Sequence, residues 1–205
     1  MDIQKLTVGA LAANCWLLTS KTIPGHALLI DPGGEPEKIL KVLRERELKL
    51  DMILLTHGHF DHITAVDEVV DATGALLYCP QKDKRALTDP HVNLSCFTKT
   101  PLYIKTVPAR LLKEWDVIPF GGERLTVLEP PGHTPGSVCY MADGALFSGD
   151  TLFARGCGRT DLEGGDKEAL ESSLSRLLKL GDVAVYPGHG ESTCISDERA
   201  YYENR

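Results

Sequence analysis

No stretch of this chain is apolar for long enough to cross a bilayer. The first residues, Met1-Asp2-Ile3-Gln4-Lys5, also lack the charged-then-apolar order of an export signal. The expectation is a cytoplasmic protein without a membrane partner. Excess positive charge is missing too: 22 Lys and Arg stand against 29 Asp and Glu, a formal net charge of −7. No global basic field draws nucleic acid, so an anionic ligand needs individually placed Lys or Arg. The six cysteines (Cys15, Cys79, Cys96, Cys139, Cys157, Cys194) form no C-x-x-C pair. In a chain without an export signal they read as free, mostly buried thiols. Repeats, low-complexity tracts and linkers are absent. At 205 residues, 42% hydrophobic and 25% charged, a single domain over 1–205 accounts for the whole chain.

What the chain does have is concentrated at Thr56-His57-Gly58-His59-Phe60-Asp61-His62, four metal-capable side chains within six residues. An apolar run, Met52 to Leu55, precedes them and reads as a buried strand. His57 and His59 are two apart, so on extended backbone they project to one side. Asp61 and His62 fall where a helical pattern begins (Ile63, Val66, Val69, Val70) and point elsewhere. One short loop can therefore offer two imidazoles to one cation and a carboxylate plus an imidazole to another. His and Asp are common in loops, but this density just past a buried strand marks a metal site.

Around this loop the pattern alternates. Strands are expected over 2–8, 14–19 and 26–30, the third ending in the turn signal Asp31-Pro32-Gly33-Gly34. Pro36 opens a helix carrying Ile39, Leu40, Leu43 and Leu48. A strand over 75–78 and a short helix over 81–87 follow. Residues 88–110 show no period and contain Pro90, Pro101 and Pro108, which suggests irregular cover near the mouth of the site. A β-meander is expected over 117–120, 124–128, 137–141 and 145–148, then a helix over 166–180, a strand over 183–186 and a short closing helix. Two strand-rich halves, each with helices, imply two sheets face to face with helices outside, a four-layer αββα sandwich.

Three further ligand types stand where strands end: His133 in Pro130-Pro131-Gly132-His133, Asp150 after Ser148-Gly149, and His189 in Pro187-Gly188-His189. Strand-end loops on a rigid scaffold are where chemistry is usually placed. With the first loop they supply five His and two Asp. That set is enough for two divalent metal ions, His57, His59 and His133 on one, Asp61, His62 and His189 on the other, and Asp150 able to bridge. Imidazole and carboxylate without thiolate suit Zn²⁺ first, with Fe²⁺ or Mn²⁺ as alternatives. A water bridging two such cations loses a proton near neutral pH, so the expected reaction is hydrolysis of an activated acyl bond with no serine or cysteine nucleophile. Asp31 is a candidate for orienting one of the imidazoles. His26 and His91 stand alone and are assigned to structure.

The run Thr56-His57-x-His59-x-Asp61-His62, with His133, Asp150 and His189, resembles the metallo-β-lactamase superfamily across nearly the whole chain. That resemblance implies the αββα fold and a dinuclear site with the ligand roles given above. True metallo-β-lactamases place a cysteine or another residue where this chain has Gly149-Asp150, and they are exported. The run Gly149-Asp150-Thr151-Leu152-Phe153-x-x-Gly156-Cys157-Gly158-Arg159 instead resembles glyoxalase II (hydroxyacylglutathione hydrolase), in its short single-domain bacterial form. The implied substrate is a small-molecule thioester such as the glutathione conjugate S-lactoylglutathione.

Arg159 falls where that family has a basic residue for the glutathione carboxylate, while Asp161 and Glu191 replace tyrosines expected nearby. The bland reading of Arg155 and Arg159 is loop-tying ion pairs, with Asp161 and Asp166 as partners. Cys157 reads as a small buried residue, and Phe153 and Tyr140 read as core. Gly156-Cys157-Gly158-Arg159-Thr160-Asp161 also resembles the persulfide dioxygenases, which bind one iron through the equivalents of His57, His133 and Asp150. Nucleases share the fold as well, but the acidic composition argues against nucleic acid as a partner.

Overall fold

The computed structural model describes residues 1–204. Strands β1 (Asp2–Val8), β2 (Ala13–Thr19), β3 (His26–Ile30), β4 (Lys49–Leu54), β5 (Leu76–Pro80) and β6 (Arg110–Leu112) lie side by side in chain order as one sheet. β1, β2 and β3 pair antiparallel, and β3 through β6 pair parallel. Parallel neighbours need crossover connections. α1 (Pro36–Glu45) supplies the first, α2 (Phe60–Ile63) and α3 (Val66–Thr73) the second. The other sheet holds β7 (Val117–Phe120), β8 (Glu123–Leu128), β9 (Cys139–Ala142), β10 (Ala145–Gly149), β11 (Ala184–Pro187) and β12 (Thr193–Cys194), again in chain order. Only β10 and β11 pair parallel in it, joined by the crossover helix α4 (Lys167–Leu177). α5 (Ile195–Glu203) closes the described chain.

Period-two alternation in the central strands builds the layers. In β2, Cys15 and Leu17 face α1 and α3 together with Leu29 and Ile53, Ile39 and Leu43, and Val66 and Val69. Trp16 and Leu18 face the opposite way and meet Leu28, Ile30, Ile118, Leu125, Val127, Tyr140 and Phe147 between the sheets. Leu128, Leu146 and Val185 on the outer face of the second sheet pack on Leu170, Leu174 and Leu177 of α4 and Ile195 of α5. Three apolar interlayers separate four layers. The αββα sandwich is the observed fold.

Several local expectations need correction. The helix after Asp61 is broken into α2 and α3 around Thr64-Ala65. Leu48 lies beyond α1, which ends at Glu45. Edge strands β6 and β12 have no sequence counterpart, because a strand of two or three residues carries no period and exists through its neighbour. Residues 88–110 are largely irregular as expected, and they form a pinned strap. Asp67 on α3 accepts from the Lys105 and Thr106 amides at 2.9 and 2.8 Å, and Asn93 O accepts from Phe60 N at 2.9 Å. Leu102 and Ile104 join the outer apolar layer. All six cysteines are free; Cys15, Cys79 and Cys139 are buried, but Cys96, Cys194 and also Cys157, expected to be buried, are only partly so. No helix is long and apolar enough to cross a membrane among the described residues.

Candidate metal centre

The ends of parallel strands bring distant residues together. Asp31 follows β3, and its amide bonds to Leu54 O at 3.1 Å, so it lies beside the loop that leaves β4. Asp150 follows β10 and His189 follows β11, with Gly188 N bonding Gly149 O at 2.8 Å. Across the sandwich, Val138 N bonds Thr56 O at 2.8 Å, and the Tyr140 hydroxyl donates to Leu55 O. A bridge between Ala13 and His189 ties in the β1–β2 hairpin. All seven residues named in the sequence therefore converge at one edge of the two sheets.

They converge in the expected groups. The ligand atoms of His57, His59 and His133 lie within 4.8 Å of one another, as do those of Asp61, His62 and His189. Asp150 faces both groups: Oδ1 is 3.4 Å from His62 Nε2, and Oδ2 is 3.6 Å from both His133 Nε2 and His189 Nε2. Gly188 makes this approach possible, since a Cβ there would sit 2.2 Å from Asp150 Oδ1 and 2.8 Å from His62 Cε1. His57, His62 and His133 are buried, whereas the His189 side chain is 26% exposed, Asp61 13% and Asp150 11%. Solvent reaches the site from the Asp61–His189 side.

Outer hydrogen bonds set which ring nitrogen faces inward. His133 Nδ1 lies 2.8 Å from Arg159 O, which only accepts, so in the neutral ring Nδ1 carries the proton and Nε2 the lone pair. His62 Nδ1 lies 3.0 Å from Asp31 Oδ2 and follows the same logic. Inside, His133 Nε2 comes 2.9 Å from His59 Nδ1, and His62 Nε2 comes 3.3 Å from His189 Nε2. His57 Nε2 and Asp150 Oδ1 are buried with no hydrogen-bond partner. Buried polar atoms are normally paired, and a cation shared by these inward-facing atoms would supply the missing partner. The donor set fits divalent metal ions.

Protonation follows the same division. Burial, together with the neighbouring imidazoles His62, His59 and His133, pushes His57 well below the ordinary histidine range. Burial and His133 lower His59 to about 3. Burial alone would lower His62 as well, but Asp150, Asp61 and Asp31 outweigh it and raise His62 to about 10. His189 is raised in the same sense against its burial, chiefly by its hydrogen bond to Asp61. Burial would raise Asp61, but His62 and His189 hold it below the usual carboxylate range. His57 and His59 are thus disfavoured as cations, while the surrounding carboxylates favour the cationic forms of His62 and His189.

Asp31 has the orienting place expected of it. Its Oδ1 accepts from Thr56 N at 2.7 Å, and its Oδ2 accepts from Thr56 Oγ1 at 2.5 Å as well as facing His62. The Arg159 guanidinium turns outward onto Asp161 in a bidentate pair at 2.7 Å, both side chains being mostly exposed, while its backbone carbonyl orients His133. Phe153 is not core. It is partly exposed, with its ring edge-on to His189 at 6.2 Å between centroids. Tyr140 is core as expected. His26 pairs with Asp51 at 2.7 Å and His91 is exposed, both away from the site. Asp83 escaped the sequence reading: it is 3% exposed and bonds to the loops of both His57 and His133. Its setting, Lys82-Asp83-Lys84-Arg85, reads as a solvated charged run, and no local signal marks it.

An αββα sandwich with imidazole and carboxylate ligands at its strand ends defines a metallo-hydrolase class. Residues 8–189 match the metallo-β-lactamase superfamily model, and the chain belongs to that superfamily of metal-dependent hydrolases. The chain is 39% identical over 204 residues to the probable metallo-hydrolase YqgX of Bacillus subtilis, covering 97% of this chain and 95% of that protein. It is 33% identical over 204 residues to the hydroxyacylglutathione hydrolase GloC of Haemophilus influenzae, with the same coverage. Two solved structures are similar throughout. BLEG-1 B3 metallo-β-lactamase superposes with a TM-score of 0.92 at 36% identity over 97% of each chain. TTHA1623 in a di-iron-bound form gives 0.83 at 36% identity, over 95% of this chain and 96% of that one.

Proposed function

We propose that the protein is a hydrolase that holds two divalent metal ions and cleaves a thioester of the S-lactoylglutathione type. The observation that carries this reading is the convergence of two triads, His57–His59–His133 and Asp61–His62–His189, on the shared carboxylate of Asp150. Bound there, divalent cations supply Lewis acidity, bringing the ionisation of water toward neutral pH and polarising a carbonyl. The chain's own groups prepare the site. Asp31 and the Arg159 carbonyl fix the His62 and His133 rings so that their Nε2 atoms face inward, where a bound cation would displace any proton on them. Asp61 and Asp150 place negative charge on the solvent-facing side, where substrate enters. The Phe153 ring edge beside His189 offers an apolar wall for an acyl group.

The name of GloC supports a thioester, and the di-iron form of TTHA1623 supports a dinuclear site in which iron is as admissible as zinc. Arg159 serves an anionic thiol conjugate only by exchanging Asp161 for the substrate carboxylate. The name of BLEG-1 points to β-lactams instead, so the test needs both substrates. Zinc- and iron-loaded protein are each assayed for thiol release from S-D-lactoylglutathione and for hydrolysis of a chromogenic cephalosporin. Efficient thiol release is expected. Lactam turnover without thiol release would replace the thioesterase reading. Oxygen uptake with glutathione persulfide by an iron form that releases no thiol would replace hydrolysis with a dioxygenase reaction.

A further inference from the structure

We infer that Asp83 is a positioning residue that fixes His133 relative to the His57–His59 pair, and so sets the affinity of the cation site those three form. The inference rests on the metal-centre reading and adds a residue to it.

Asp83 lies in the 3₁₀ segment Gln81–Leu87 that follows β5, and its carboxylate is buried. Its hydrogen-bond donors are all neutral. Gly58 N donates to Oδ2 at 2.9 Å, Thr134 Oγ1 donates to Oδ2 at 2.8 Å, and Gly136 N donates to Oδ1 at 2.8 Å. Gly58 stands between His57 and His59, whereas Thr134 and Gly136 lie one and three positions after His133. One carboxylate thus grips two ligand loops from different sheets, 25 and 53 residues away in sequence.

The fit is tight on both sides. A Cβ on Gly58 would lie 2.2 Å from the Ala86 Cβ, and one on Gly136 would lie 2.4 Å from Asp83 Oδ1. Both loops therefore reach the 3₁₀ segment at backbone distance, where no side chain can intervene. Burying a carboxylate is unfavourable, and burial raises the Asp83 carboxyl above its ordinary range. An apolar residue of similar volume would avoid that cost but leave the Gly58 and Gly136 amides without acceptors. Holding the Gly58 amide fixes the peptide plane between the two histidines. Holding Gly136 and Thr134 fixes the backbone that carries His133, whose Nε2 stands 2.9 Å from His59 Nδ1. Asp31 grips Thr56 and His62 by the same means, on the other side of the centre. Asp31 thus reaches both triads, His62 directly and His57 through Thr56 Oγ1 at 3.0 Å, whereas Asp83 bonds to the loops of the three-histidine site.

That specificity makes the inference testable. In Asp83→Asn, the amide NH₂ must face a backbone donor whichever way it turns, so one loop is released. Metal-free protein is titrated with zinc by calorimetry, and the absorption spectrum of the cobalt-loaded form is recorded. One of the two ions is expected to bind about 10- to 100-fold more weakly with an altered cobalt spectrum, the other binding as in the wild type. Thr134→Val removes one of the three bonds with little change of shape, and should weaken the same ion to a smaller extent. It carries the test by itself if Asp83→Asn does not fold. Two ions bound with wild-type affinity in both variants would overturn the role of Asp83 alone. Equal weakening of both ions with a lowered melting point would also overturn it, by showing a general structural part. A wild-type protein that takes up no zinc would overturn the metal-centre reading and this inference together.

Discussion

At the scale of single residues, the centre is defined less by which ligand types are present than by which atom each one turns inward. Imidazole has two nitrogens, and His62 and His133 are each committed by an outer acceptor, Asp31 Oδ2 and Arg159 O. The Asp150 carboxylate faces members of both triads. Asp150→Ala should therefore lower turnover of the thioester by about a thousandfold or more, roughly 4 kcal/mol of transition-state stabilisation. Metal bound per chain should fall at the same time, as measured by elemental analysis. Two ions with undiminished turnover would show that the carboxylate is not shared. The seven candidate ligands were legible from residue type and spacing because metal coordination demands particular side chains. Phe153 was misplaced for the opposite reason: a phenylalanine near a strand end looks the same whether it faces the core or His189. The arginine at 159 kept its bland partner, Asp161, and only its backbone carbonyl reaches the site, which no side-chain pattern reports.

At the scale of elements, strands position the ligands and irregular segments clamp them. Apolar alternation made the central strands readable, since β2, β3 and β4 each bury side chains in two different interlayers. The strap over 88–110 was legible as irregular but not as ordered, because its order comes from α3. Asp67 accepts from the Lys105 and Thr106 amides and from Thr106 Oγ1, the last at 2.7 Å. Asp67→Ala should cost about 1.5–3 kcal/mol, the range for hydrogen bonds to a charged group. Amide exchange should accelerate selectively over residues 102–106 while the central strands stay protected. Uniform acceleration, or none, would show that the strap is held by its apolar contacts through Leu102 and Ile104 instead.

For the whole molecule, the charge balance of the centre makes folding stability depend on pH and on metal. An unfolded histidine titrates near 6.5. In the metal-free fold His57 and His59 lie far below that, so the unfolded chain binds more protons there and stability falls as pH drops below about 6.5. His62, raised to about 10, contributes stability that is complete below 6.5 and is lost as pH rises through 10. His189, also raised, acts in the same direction. Metal-free protein should therefore melt at its highest temperature near pH 6.5 and lose stability on both sides. Zinc takes the place of the protons on the inward nitrogens, so the loaded protein should melt higher, with no decline between pH 7 and 9. Thermal melts with chelator and with zinc test both statements. A metal-free midpoint that climbs from pH 7 to 9 would show that His62 is not charged in the fold.

The sequence by itself determined the layer architecture and which seven His and Asp residues would meet at the candidate centre. Apolar periodicity dictates which faces must be buried, and few side chains bind divalent cations, so both leave local marks. Tertiary structure alone decided how those ligands are aimed and held. Asp83, the Arg159 carbonyl, the Gly188 approach and the edge strands act through contacts with residues far away in sequence. A buried carboxylate whose donors lie 25 and 53 positions off has no neighbour that announces it. Its part emerges only when the two sheets close on each other and leave two ligand loops with unpaired amides facing the same point.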